Sequence, residues 1–221
     1  MKATRLAVGR LAALGLIALL AAPAVHAQAS AATTPHAAAS APAADAPAEM
    51  AEPPPRQPRY LLRGPGGRAV TSEDFRGKLQ IVTFGFTTCP DVCPTTLVEL
   101  QQLLRALGPR AARVQAIFVT VDPARDTPQV LAAYTEAFDP RIVGLGGPEA
   151  LVQRAAESFG VVYRKVQEAG AAPGAYTMDH SAGLYVLGPD GLWLGRIGYG
   201  TPVPEIVRRV EEYIDAAFSR R

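Results

Sequence analysis

The chain has 221 residues, with 22 Lys+Arg against 20 Asp+Glu and three histidines. Three of the basic residues, Lys2, Arg5 and Arg10, lie in the first 27 positions, where there is no acid, so the rest of the chain carries a net charge of −1. A chain so balanced offers none of the concentrated basic surface that nucleic-acid binding needs, and that class is set aside.

The N-terminus reads as an export signal. A basic stretch, Met1 to Arg10, leads into the uncharged apolar run Leu11 to Val25, and small residues follow at Ala27 and Ala29. This is the layout of a secretory signal peptide cut after Ala27, with a cut after Ala29 as the alternative. The rival reading is an uncleaved membrane anchor, although the run is shorter than the roughly 20 residues that span a bilayer. No cysteine follows the apolar run, which argues against lipid anchoring at cysteine. Residues 28–58 contain 12 Ala and 7 Pro. They have too little large apolar surface to offset the entropy of ordering, and read as a disordered tether. His26 and His36 fall in these two segments. The remainder, residues 59–221, is the size of one globular domain. An exported domain is expected in a compartment that permits disulfides.

Within that domain, Tyr60-Leu61-Leu62 and Arg68-Ala69-Val70 flank Gly64-Pro65-Gly66-Gly67, which predicts a hairpin. The β-prone run Leu79 to Phe86 predicts a buried strand. Leu97, Leu100, Leu103, Leu104 and Leu107 form one helical face that stops at Gly108-Pro109. Val114 to Val121 is apolar enough for a central parallel strand. Thr127-Pro128 is a helix start, an N-cap followed by proline at the first turn, for a helix to about Phe138. Gly147-Pro148 opens another helix, which ends before Gly160, and Val161-Val162-Tyr163 begins a further strand. Glu168 to Thr177, rich in Ala and Gly, reads as a mobile loop. Gly183–Leu187 and Leu192–Leu194 around Gly188-Pro189-Asp190-Gly191 predict a second hairpin, and Pro204 to Phe218 a closing amphipathic helix. The order predicts an α/β domain with a mixed central sheet flanked by helices, with N-terminal and late β-hairpins. A thioredoxin-like fold is the economical assignment.

The chemistry concentrates in few residues. The only cysteines, Cys89 and Cys93, lie in Thr88-Cys89-Pro90-Asp91-Val92-Cys93-Pro94, and one histidine of the folded part, His180, stands far downstream. This set is too small for a closed zinc site, which takes four protein ligands. It suits copper, which accepts thiolate and imidazole together, and it suits a thiol/disulfide couple. The cysteines are expected where a buried strand gives way to a helix N-terminus, with Pro90 in the first helical turn. There the helix dipole favours thiolate, so low thiol pKa values are expected. A purely structural disulfide at this spacing closes too small a loop to constrain the unfolded chain much. Loop movement would bring His180 to the cysteines. Asp179 is read as a turn cap or a partner of the imidazole, and Met178 as a filler of space.

Phe84-Gly85-Phe86-Thr87-Thr88-Cys89-Pro90-Asp91-Val92-Cys93-Pro94-Thr95-Thr96-Leu97 closely resembles the signature of the SCO/SenC family of copper-binding proteins. Val121-Asp122-Pro123-Ala124-Arg125-Asp126-Thr127-Pro128, with Leu131 and Tyr134, is similar to its second motif. Asp179-His180-Ser181, with Tyr185 and Gly188-Pro189-Asp190-Gly191, is similar to its third. The resemblance runs from Tyr60 to Phe218. It implies a thioredoxin-like fold that binds one copper ion per chain, as Cu(I) or Cu(II), through Cys89, Cys93 and His180. It also implies a role in assembling the dinuclear copper centre of cytochrome c oxidase, as metal donor or as thiol reductant through Cys89 and Cys93; a redox or copper sensor acting through a membrane partner shares the same motifs and is the further alternative. The implied partner is the copper-centre subunit of the oxidase, beside another copper carrier or a thiol reductase, in the bacterial periplasm or tethered to the inner membrane. Asp122, Arg125 and Asp126 are expected to cap a helix and form a salt bridge behind the site.

Overall fold

The computed structural model describes residues 57–219 apart from 168, 169, 171, 173 and 174. The expected export signal, His26, His36 and nearly all of the tether lie outside the described residues, as does much of the expected loop 168–177. No helix among the described residues is long and apolar enough to cross a membrane.

The centre of the domain is a five-stranded mixed sheet. Its strands are β3 (Leu79–Gly85), β4 (Val114–Thr120), β5 (Ile142–Leu145), β8 (Leu184–Leu187) and β9 (Trp193–Ile197), in the order β5-β4-β3-β8-β9. β3, β4 and β5 run parallel, and β8 and β9 add on as an antiparallel hairpin. β3 is buried along its whole length and β4 nearly so. This accounts for their uninterrupted apolar sequences, because a central parallel strand has both faces covered.

Helix α1 (Val92–Ala106) connects β3 to β4, α2 (Pro128–Phe138) connects β4 to β5, and α3 (Glu149–Phe159) follows β5. The closing helix α4 (Val203–Phe218) packs beside α1. α1 buries Cys93, Thr96, Leu97, Leu100, Leu103 and Leu104, one stripe at helical spacing. The Thr127 hydroxyl caps α2 by accepting from the Val130 amide at 3.3 Å, with Pro128 in the first turn, as the sequence predicts. α3 stops at Gly160, whose φ of 68° is left-handed backbone that glycine adopts without strain.

Two small ribbons complete the domain. β1 (Leu61–Arg63) and β2 (Ala69–Thr71) form the predicted N-terminal hairpin, joined to the end of β5 by paired backbone hydrogen bonds between Arg63 and Gly146. β6 (Tyr163–Val166) pairs antiparallel with β7 (Thr177–His180). The arrangement is the thioredoxin-like α/β fold that the element order predicts.

Three readings need correction. β5 is absent from the predicted order because it is four residues long and contains Gly144, which weakens a strand signal. β7 is absent because its short, mixed sequence follows the Ala/Gly-rich stretch, so His180 ends a paired strand and does not sit on a loop. Pro90 precedes the N-cap residue, Asp91, and the proline inside the first turn of α1 is Pro94.

The glycine that hides β5 also lets α2 approach it. A Cβ on Gly144 would lie 2.9 Å from the Leu131 carbonyl oxygen and 3.0 Å from the Leu131 Cβ. Gly144→Ala is therefore expected to cost about 1–3 kcal/mol, as overpacking of a rigid contact does. Urea denaturation checks this, with a lowered midpoint at unchanged slope as the expected result.

Candidate functional site

The site is built on the C-terminal end of β3, the position where open α/β sheets present their functional groups. Beyond Gly85 the chain leaves the sheet through Phe86 and Thr87, and turns at Cys89, whose amide donates to the Phe86 carbonyl at 3.3 Å. This loop is pinned from behind by Asp126. The Asp126 carboxylate is buried. It accepts from the Thr87 amide at 3.0 Å, the Thr87 hydroxyl at 2.5 Å and the Thr120 hydroxyl at 2.6 Å. Asp126 thus joins the ends of β3 and β4 and caps no helix, contrary to expectation. The expected salt bridge is present between Asp122 and Arg125.

Cys89 is partly exposed and Cys93 is buried, both as free thiols. Asp91, at the N-cap of α1, makes no side-chain capping bond. The Cys89 sulfur accepts the hydrogen bond of the Cys93 amide at 3.4 Å. A sulfur stands where an oxygen usually caps a helix, and negative charge there is favoured by the helix dipole. Cys93 departs from the low pKa expected of both thiols. Burial pushes its thiol up, opposed by a hydrogen bond from the Phe86 backbone, and Cys89 and Asp126 raise it further. Space around this sulfur depends on Gly85, since a Cβ there would lie 2.7 Å from the Cys93 Sγ and 2.8 Å from the Phe118 ring.

His180 comes to the same place from 87 residues away. Its Nε2 lies 3.8 Å from the Cys93 Sγ, and its Nδ1 lies 3.1 Å from the Ser181 carbonyl oxygen. A carbonyl only accepts, so Nδ1 carries the proton and Nε2 presents its lone pair to the sulfur. The Phe86 ring packs edge-on against the imidazole at 6.0 Å. Asp179 does not serve as the imidazole's partner. It is exposed and pairs with Arg164 across the ribbon at 3.0 Å. Met178 is buried in the core, as a space-filler should be.

Cys89, Cys93 and His180 therefore converge, Cys93 with each of the others. Among the described residues no three His, Cys, Asp or Glu side chains already stand in metal-binding geometry. The two sulfurs and the Nε2 lone pair are the donors available to a soft ion. Tyr176 goes unnoticed in the sequence reading. Its hydroxyl donates to Asp122 at 2.8 Å, and the only sequence signal is one aromatic at the end of an Ala/Gly stretch.

The SCO1/SenC family model matches residues 48–215. The chain belongs to the SCO1/SenC family. It is 38% identical over 152 residues to the human mitochondrial SCO2 homolog, an alignment that covers 68% of this chain and 56% of that protein. It thus spans little more than half the length of that curated relative. Among solved structures it is similar to Bradyrhizobium japonicum ScoI with copper bound, at 37% identity and a TM-score of 0.65 over 72% of this chain and 99% of that one. It is also similar to yeast Sco1 with copper bound, at 32% identity and a TM-score of 0.66 over 74% and 90%.

The raised Cys93 thiol makes stability depend on pH in a defined direction. In the unfolded chain this thiol ionises near its ordinary value of about 8.5, and in the folded chain it stays protonated well above that. The contribution is complete below the ordinary value and is lost as pH rises towards the folded value. The slope is at most about 1.4 kcal/mol per pH unit for one proton. Urea titrations of the reduced, metal-free protein between pH 8 and 10 should show this fall, and Cys93→Ala should remove it below the range where tyrosines ionise.

Proposed function

We propose that this protein is an exported copper metallochaperone that binds one copper ion through Cys89, Cys93 and His180 and helps assemble the dinuclear copper centre of cytochrome c oxidase. The observation that carries the reading is the meeting of His180 Nε2 with the Cys93 sulfur at 3.8 Å, with Nδ1 already committed to the Ser181 carbonyl. A tautomer fixed in this way is the one a metal-ligating imidazole adopts. Membership of the SCO1/SenC family, whose members act in copper assembly of cytochrome c oxidase, supports the client. Copper-bound ScoI and Sco1 support the cargo.

The donor set suits Cu(I) with three ligands, and Cu(II) with a further ligand such as water. The Cys93 amide can keep its bond to the Cys89 sulfur on ligation, since a thiolate has lone pairs for both the metal and the N–H. Partial exposure makes Cys89 the sulfur through which ligand exchange with a partner's cysteines starts. Binding displaces the thiol protons, so affinity weakens as pH falls. The N-terminal 27 residues serve as signal peptide or anchor, and residues 28–58 as a tether that gives the domain reach in the bacterial periplasm.

One observation favours a second reading, thiol–disulfide exchange with the same client. Cys89 is accessible and hydrogen-bonded at a helix N-terminus, while Cys93 lies buried behind it. The Cys89 thiolate would attack a disulfide of the client, form a mixed disulfide and release one client thiolate. Cys93, losing its proton, would then displace the second client sulfur. The client gains two electrons and the chain keeps a Cys89–Cys93 disulfide.

Anaerobic titration of the reduced full chain with Cu(I) and Cu(II) tests the copper reading. One ion per chain and an intense thiolate-to-Cu(II) absorption are expected. His180→Ala should weaken binding by more than the roughly 10–100-fold that follows loss of an outer partner of a metal ligand. Full-affinity binding by that variant would overturn the three-ligand site. Failure to bind either ion would leave the dithiol reading alone.

A further inference from the structure

His180 belongs to the β6–β7 ribbon, whose strands pair with each other and not with the central sheet. The β period puts residues 176, 178 and 180 on one face of this segment. Met178 on that face is buried in the core, and His180 meets Cys93. The third member, Tyr176, is gripped from the loop after β4. Its hydroxyl donates to Asp122 Oδ1 at 2.8 Å, and its carbonyl accepts from Arg125 Nη1 at 3.1 Å. The Arg125 Nε donates to the other oxygen of Asp122, which closes a triangle. The Arg125 guanidinium also lies over the Tyr176 ring, 3.9 Å from its centroid, while Lys165 of β6 lies 4.0 Å from it. Asp122 is itself fixed, because it is buried and its amide donates to the Thr120 hydroxyl at 2.9 Å.

The same arginine reaches the imidazole by a second route. Arg125 stands 5.8 Å from the Phe86 ring, which packs edge-on against His180 at 6.0 Å. The guanidinium's remaining nitrogen, Nη2, is buried without a hydrogen-bond partner among the described residues. That is unfavourable in itself, so the triangle holds Arg125 in a place that its own hydrogen bonding does not optimise.

We propose that Asp122, Arg125 and Tyr176 form a latch that sets the position of His180 against Cys93, with Arg125 and Tyr176 as positioning residues. The latch spans the body that carries the cysteines and the ribbon that carries the histidine. It is defined by contacts within the chain, and its consequence for copper rests on the function proposed above.

The test uses the full chain with His26→Ala and His36→Ala, which leaves His180 as the single imidazole. Copper(II) bound to this protein should show nitrogen hyperfine coupling in electron paramagnetic resonance. Arg125→Ala should weaken that coupling, retain the thiolate absorption and lower affinity about tenfold, in the range typical of outer-shell changes. Tyr176→Phe, which loses only the bond to Asp122, should fall between. In a His180→Ala background, Arg125→Ala should cause no further loss, since a residue acting through His180 has nothing left to act on. Equal losses in both backgrounds, or unchanged nitrogen coupling in both variants, would overturn the latch.

A protein that binds no copper would sink the proposed function and leave the latch testable. In the reduced metal-free chain, each variant should shift the His180 ring-proton resonances and weaken their through-space contact with Phe86. Unchanged resonances and contact would refute it. Should Arg125→Ala fail to fold, Tyr176→Phe carries both readouts.

Discussion

A carboxylate buried between the ends of two parallel strands fixes the loop on which the cysteines depend. Among the described residues Asp126 has no cationic hydrogen-bond partner. Its charge is met by one amide and two hydroxyls, from Thr87 and Thr120. Charged hydrogen bonds of this kind are stronger than neutral ones, and leaving any of the donors or the carboxylate unpaired in the interior is costly. The loop after β3 is thereby held to the end of β4, and Cys89 and Cys93 emerge from a rigid base. Asp122, four residues earlier, is anchored on the same Thr120 hydroxyl through its amide. One threonine at the end of β4 thus serves both acids of the second motif, one beneath the cysteine loop and the other beneath the ribbon.

On that base the two cysteines are unequal, and the inequality has a physical origin. Cys93 lies within α1 and is covered by the core, so burial favours its protonated form. Cys89 lies ahead of the helix, keeps contact with solvent, and receives a helix-end amide on its sulfur. The accessible sulfur can start an exchange, and the buried one can complete it. The imidazole approaches the buried member of the pair, so neither histidine nor Cys93 needs to leave the domain for a partner to be engaged.

Much of this was legible in the sequence, and what was not has particular causes. The leucine stripe of α1, the proline start of α2 and the apolar runs of β3 and β4 each declare themselves because local periodicity and core burial agree. The trio Cys89, Cys93 and His180 stands out by scarcity alone. β5 and β7 are too short, and β5 too interrupted by Gly144, for any periodicity to register. The role of Asp126 depends on hydroxyls 39 and 6 residues away, and that of Tyr176 on a carboxylate 54 residues away. Such contacts have no local signature. The low pKa expected for both thiols followed from the helix N-terminus alone. It failed for Cys93 because burial outweighs the dipole once the side chain points inward.

The metal and disulfide readings draw on the same two sulfurs, and they are mutually exclusive at any moment. A Cys89–Cys93 disulfide consumes both thiols, so an oxidised chain offers no thiolate to copper, while a loaded chain has no free thiolate for disulfide exchange. In an oxidising compartment the choice between them is set by whatever keeps the pair reduced. His180 has a place in both chemistries, as a third donor to the metal and as a base for the proton that Cys93 gives up in exchange. A latch that positions an imidazole against Cys93 serves either chemistry, as a ligand in the copper reading and as a base in the dithiol one, and only the copper reading needs the imidazole to reach Cys89 as well.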